Sequence, residues 1–204
     1  GIINAISLNA QSENYYSSTY GLSGSELKQT INSIIDGHNS ISYDAVWDAH
    51  KDLYKDPNNS DNILLFYSEA SISNEDQDVG GSPGTYFNRE HLWPRSYGVG
   101  TSGDDNSDLH SLVPAYKSVN STRGNKYFDN SDPNESGYSI PANSLAPNCT
   151  ANSDTFEPGD AQKGRVARAI LYMDTRYADL ELVDTPPSPA PDSSSNRMAQ
   201  LSTL

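Results

Sequence analysis

The segment Asn88-Arg89-Glu90-His91-Leu92-Trp93-Pro94, followed by Asp108-Leu109-His110-Ser111-Leu112-Val113-Pro114 and Val119-Asn120-Ser121-Thr122-Arg123-Gly124-Asn125, decides the fold. Residues 86–92 read as a short strand that Pro94 ends. Residues 95–107, rich in Gly, Ser and Asp, read as a loop, and 108–113 as a second strand. Pro114 suits the first position of a helix reaching Phe128. On that helix Lys117, Asn120 and Arg123 follow one another at three-residue spacing and share one face. Two strands and a helix of this kind can bring a carboxylate, an imidazole, an amide oxygen and a guanidinium to one point.

Outward from this unit the chain reads as α+β, with helices around a ββα core and long irregular loops. Ser23-Gly24-Ser25-Glu26 has the form of a capping box, and Leu27, Ile31, Ile34 and Ile35 recur behind it at helical spacing up to Gly37. A second helix is expected over about 44–55, with Val46, Trp47, His50, Leu53 and Tyr54 on its inner face. Residues 62–68 read as a buried strand, and 73–84 as an acidic, Gly-bearing loop. The Pro-, Asn- and Ser-rich residues 129–159 read as irregular surface structure. Val166, Ile170, Met173 and Tyr177 mark a last strong helix over about 160–177. One domain over 1–182 is therefore expected, then a Pro/Ser-rich linker over 183–195. Residues 196–204 read as the start of a further helix.

Composition limits what such a domain does. No apolar run approaches the roughly 18 residues of a membrane span. Low hydrophobic content (34%) is offset by 13 Tyr, 4 Phe and 2 Trp that can bury well. The single Cys149 excludes an intrachain disulfide, and four His with one Cys show no spacing suited to structural zinc. The chain opens Gly1-Ile2-Ile3 without Met, as after removal of a secretion signal, and its composition fits an extracellular protein, expected to be monomeric. Net charge is −14 with a pI near 4.4. Yet nine of the 13 basic residues lie between Arg89 and Arg176, and residues 109–128 carry three bases and no acid. An acidic body with local basic segments can still receive a polyanion, particularly in saline surroundings where charge is screened.

Phosphodiester hydrolysis needs the parts the central unit offers. A hard Mg²⁺ keeps most of its waters and takes one or two protein oxygens, which Glu90 and Asn120 can supply. Neutral His91 can remove a proton from an attacking water, and Arg123 or Lys117 can hold the scissile phosphate. The sequence resembles the bacterial extracellular endonuclease I family of His-Me finger (ββα-metal) nucleases. The resemblance spans about residues 15–180. It rests on Tyr15-Tyr16 with Leu22-Ser23-Gly24, Asn88-Arg89-Glu90-His91 before Trp93-Pro94, Asp108-Leu109-His110, and Val119-Asn120 with Arg123 and Asn125. A last block is Glu157-Pro158, Lys163-Gly164-Arg165-Val166-Ala167-Arg168 and Leu171-Tyr172-Met173.

The resemblance implies that Glu90 and Asn120 are metal ligands and His91 the general base. It also implies Mg²⁺ as the usual cofactor, with Mn²⁺ or Ca²⁺ as alternatives, broad sequence tolerance and 5′-phosphate products. Two departures stand out. The insert after Glu-His offers only Arg95 as a phosphate-contacting arginine. Relatives also continue beyond the segment resembling Met198-Ala199-Gln200-Leu201.

Other residues read more plainly. His110 is expected to hold the motif by hydrogen bonding, and His38 and His50 to be structural. Arg168 is divided between a buried ion pair and direct phosphate contact. The Asp/Asn-rich stretches 104–108 and 129–135 resemble calcium loops without EF-hand spacing, leaving structural Ca²⁺ open. The expected activity is cleavage of DNA, and of RNA as the near alternative, since nothing here reads a 2′-hydroxyl. A secreted calcium-binding or adhesion module is the alternative of another class, and it leaves Glu90, His91, Asn120 and Arg123 unexplained.

Overall fold

The computed structural model describes residues 14–185 and 196–199. The chain divides between His38 and Asn39 into two compact units. In the first, a short 3₁₀ turn at Ser17–Thr19 precedes a helix, Gly24–Ile35 (α1), and the Tyr15 hydroxyl donates to the Ile34 carbonyl at 3.3 Å. Ser23 stands at the N-cap in an extended conformation, but its side chain makes no capping hydrogen bond. The expected capping box is thus present in sequence without its bond. Gly37 follows the helix at φ +74, a left-handed conformation that glycine adopts without strain.

The second unit is α+β. Val46–Leu53 (α2) leads into Lys55–Asp56 (β1), Asn59–Leu64 (β2) and Ser71–Ser73 (β3), an antiparallel meander in the order β1-β2-β3. The strand expected over 62–68 stops at Leu64. Glu69 adopts φ +56, the Leu65 amide donates to Ala70 O, and the Phe66 amide leaves this sheet for the Pro114 carbonyl. The apolar run stays buried through Tyr67 although its strand geometry ends.

Phe87–His91 (β4) and Leu112–Tyr116 (β5) pair antiparallel, Phe87 opposite Tyr116 and His91 opposite Leu112. Lys117–Arg123 (α3) follows without a loop. Here the expectation for Pro114 is overturned: it lies inside β5, not at a helix start. The Leu92 amide donates to Ser111 O, so in an antiparallel ladder the Arg89–Pro114 pair is a non-hydrogen-bonded one. The missing N–H therefore points away from β4 and costs no ladder bond. The helix is also shorter than expected, closing at Gly124 with φ +56.

Beyond it lie Tyr127–Phe128 (β6), Pro141–Ser144 (α4), Thr150–Ala151 (β7) and Thr155–Glu157 (β8). The three strands form a small sheet in the order β6-β8-β7, where irregular structure was expected. Strands of two or three residues are too short to show a period of two. Asp160–Arg176 (α5) matches its expected span and buries Val166, Ile170 and Met173. Each such side chain contributes about 1.5–3 kcal/mol on burial. The same core holds Trp93, Tyr97, Tyr127 and Phe156. Finally, Glu181–Leu182 (β9) pairs parallel with Arg197–Met198 (β10). The helix expected from 196 is thus a strand at its start. Met198 is fully buried, and Arg197 Nε lies 2.8 Å from Glu181 Oε2. The linker residues 186–195, and 200–204, lie outside the described residues. No described helix is long and apolar enough to cross a membrane.

Candidate functional site

The last two residues of β4, Glu90 and His91, line a cleft of about 680 Å³ together with Asn88, Arg89, Arg95 and Asn120. Both are nearly buried, at 2% and 7% exposure. Two side chains so enclosed need fixed partners, and each has them.

Glu90 is held through Oε1, which accepts from the Tyr67 hydroxyl at 2.9 Å and from Arg123 Nη1 at 3.1 Å. Burial pushes the Glu90 carboxyl up, against the pull of the Arg123 guanidinium and the Tyr67 hydroxyl toward the charged form. Arg123 is itself fully buried. It donates to the carbonyls of His91 and Leu92, both at 2.6 Å, and lies over the Phe128 ring at 4.4 Å. Nε of Arg123 has no hydrogen-bond partner among the described residues. Arg123 therefore clamps α3 to the end of β4. Its guanidinium is committed to protein groups, which removes it from the phosphate contact expected from the sequence.

Nε2 of His91 lies 3.0 Å from the Asn106 carbonyl. A carbonyl only accepts, so Nε2 carries the proton and Nδ1 keeps the lone pair of the neutral ring. Burial lowers the His91 pKa to about 4, reinforced by Arg95, Arg123 and Arg89 and opposed by the bond to Asn106. Tyr43 stacks on the ring at 5.7 Å. The loop between β4 and β5 thus serves the site directly, because its 3₁₀ turn Asp105–Ser107 delivers Asn106 to His91.

Two arginines bring positive charge to the cleft. Arg89 lies 3.5 Å over the Tyr43 ring and donates to Tyr43 O at 2.5 Å. Arg95 lies over the same ring at 4.6 Å, and its Nε donates to Asn106 Oδ1 at 2.9 Å. Asn120 enters from α3, its Nδ2 donating to Asn88 Oδ1 at 2.8 Å, an arrangement that leaves the Asn120 oxygen as acceptor. Lys117 and Arg168 are not brought into the cleft. Lys117 Nζ holds the acidic loop through Asp78 Oδ1 and Ser82 O, both at 3.1 Å. Arg168 is exposed on α5 and borders a different groove, so neither its expected buried ion pair nor a place beside His91 is found.

Among the described residues no three His, Cys, Asp or Glu side chains gather as a metal site, in the cleft or in the stretches considered for calcium. The cleft's donor set is two carboxylates, Glu90 and Asp78, the second already engaged by Lys117, together with amide oxygens. That set suits a hard cation that keeps most of its waters and suits a closed all-protein cage poorly.

His110 does hold structure, as expected: its Nδ1 lies 3.0 Å from Asp108 Oδ1. That carboxylate also accepts from the Tyr172 and Tyr177 hydroxyls at 2.9 and 2.8 Å. Sequence reasoning did not single out Tyr43, Tyr67, Arg89 or Asn106. Arg89 sat in a quoted motif and could have been found there. Tyr67 and Asn106 reach the site from 23 residues before Glu90 and 15 after His91, with no local signal.

The chain is similar to an extracellular ribonuclease of Bacillus amyloliquefaciens, 41% identical over 186 residues, which are 88% of this chain and 61% of that protein. It is likewise similar to an extracellular ribonuclease of Bacillus subtilis (strain 168), 40% identical over 182 residues, covering 86% and 59%. The chain therefore spans less than two-thirds of the length of either relative. The model of the family described as endonuclease I matches residues 23–197, a span that takes in every cleft residue named above. By that match the chain belongs to the endonuclease I family.

Proposed function

We propose that the chain is a metal-dependent endonuclease of the His-Me finger type that hydrolyses phosphodiester bonds of DNA and RNA with little sequence preference, leaving 5′-phosphates. The observation that carries the reading is that Glu90, His91 and Asn120 line one cleft, with His91 fixed through Nε2. Nδ1 of neutral His91 takes a proton from water as its oxygen bonds to phosphorus and the bond to the 3′ oxygen breaks. That oxygen leaves with a proton from solvent. Arg95 and Arg89 flank the phosphate, and Arg123 positions Glu90 without touching substrate. Glu90 and Asn120 would hold the divalent cation, Mg²⁺ or a substitute such as Mn²⁺ or Ca²⁺. When bound, it supplies charge stabilisation to the phosphate and the departing oxygen.

Nothing in the cleft's phosphate-directed groups selects bases, which supports low specificity. The names of the two Bacillus relatives favour RNA as a substrate at least equal to DNA, and favour secretion. A monomer suffices, since the cleft is formed within one chain. Matched single-stranded DNA and RNA, incubated with Mg²⁺ or with EDTA, test the reading. Cleavage of either strand only with the metal supports it. Cleavage of neither, or cleavage insensitive to EDTA, overturns it.

A further inference from the structure

On α5, Arg165 and Arg168 stand three residues apart and so project as neighbours from one side of the helix. Both are exposed. With Tyr54, Phe66, His110 and Tyr172 they border a groove of about 320 Å³ that shares no lining residue with the cleft. An adjoining hollow of about 430 Å³ shares Tyr54, Leu109, His110 and Arg165 with it, so the two make one continuous depression. Among the described residues no carboxylate lines either part, in a chain whose net charge is −14, although Glu69 lines a further hollow that shares Tyr54, Phe66 and Arg165 with the groove.

The arginines are not used up by the fold. Among the described residues, the one hydrogen bond of Arg165 runs from Nη2 to the Tyr54 hydroxyl at 3.4 Å, with its guanidinium over the Phe66 ring at 4.6 Å. Arg168 takes no hydrogen bond or ion pair with the described residues. Across from them the exposed His110 ring stacks on Tyr172 at 4.3 Å, and its Nδ1 is held by the nearly buried Asp108 carboxylate. A positive charge on His110 would add to the two arginines on the same depression. Aromatic faces beside guanidinium groups that no carboxylate neutralises are the two elements from which single-stranded nucleic-acid sites are made. The groove and the cleft flank the end of β4: His91 lines the cleft, and Leu92, the next residue, lines the groove.

We propose that this groove is a second substrate subsite, in which Arg165 and Arg168 hold backbone phosphates of a single strand and an unstacked base lies against the His110–Tyr172 pair. It rests on the nuclease reading and adds where the strand runs beyond the scissile bond. Phosphates held there contribute affinity and processing of long strands, not chemistry.

Fluorescence anisotropy with a labelled single-stranded oligonucleotide of about 16 nucleotides, in EDTA so that nothing is cut, tests it. The Arg165→Gln/Arg168→Gln protein should bind about tenfold more weakly than wild type near 0.1 M salt. Two lost contacts should also flatten the slope of log K against log salt by about 1.4. Arg168→Glu, at a side chain with no hydrogen bond or ion pair among the described residues, should weaken binding on its own. Unchanged affinity and slope in both variants, with wild-type melting temperatures, would overturn the subsite. Failure of the nuclease reading looks different: wild type neither binds the oligonucleotide nor cuts it when Mg²⁺ is restored, and the subsite falls with it.

Discussion

His50 in the last turn of α2 and His91 at the end of β4 are two buried imidazoles with nearly the same surroundings. Each points Nε2 at a backbone carbonyl, Leu112 O at 3.3 Å for His50 and Asn106 O at 3.0 Å for His91. Burial lowers both to a pKa of about 4. They even attach to the same strand pair, since Leu112 is the residue opposite His91. The difference lies at the other nitrogen. Nδ1 of His50 is sealed in the core without a partner, whereas the His91 ring lines an open cleft. A low pKa is therefore common to both rings, and access to the cleft is what separates them.

What braces each ring can be removed separately. Around His91 the brace is ionic. Removing Arg123 leaves Glu90 buried without its counter-charge, so Arg123→Ala should lower stability by roughly 3–5 kcal/mol, read from urea midpoints. A loss under about 1 kcal/mol would mean that water replaces the guanidinium and that the clamp is incidental. Around His50 the brace is packing, including an edge contact with Tyr54 at 5.6 Å. His50→Ala should cost about 2–4 kcal/mol through the cavity it leaves, while activity per folded molecule stays at the wild-type level. Loss of activity in folded His50→Ala would erase the distinction between the two rings.

Protonation gives a third effect, spread over a pH window and with a definite sign. The folded pKa of His50 is about 4, below the unfolded 6.5. Between those values the unfolded chain binds a proton that the fold refuses. Stability from this group is therefore complete above pH 6.5 and declines as pH falls toward 4. Urea titrations should show His50→Leu flattening the slope by about 1.4 kcal/mol per pH unit inside that window and not above it. The smallest effect is expected from Tyr67→Phe, which removes one bond to Glu90. It should cost about 1–2 kcal/mol in stability, and about 10–100-fold in the Mg²⁺ concentration needed for half-maximal activity.

The sequence made some of this legible and hid the rest for physical reasons. α5 could be read because Val166, Ile170 and Met173 repeat at helical spacing over 17 residues. Glu90, His91 and Asn120 could be read because a resemblance tied them together, and the structure brings those three to one cleft. Pro114 misled, since a proline on the non-bonded side of a two-stranded ladder looks the same in sequence as a helix-starting one. For Arg123 helical periodicity gives the direction of the side chain but not its depth, so a phosphate contact is expected where Glu90 is found. Tyr67 and Asn106 were invisible because their partners are distant in sequence and their own surroundings carry no pattern.

The most direct test of His91 as the general base is Mg²⁺-dependent nicking of plasmid DNA by wild type and His91→Ala, each shown to be folded. We expect a fall of about 10²–10⁴-fold in rate, with nicking by wild type abolished by EDTA. A variant that nicks within a few-fold of wild type would contradict that role, leaving His91 as structural as His50.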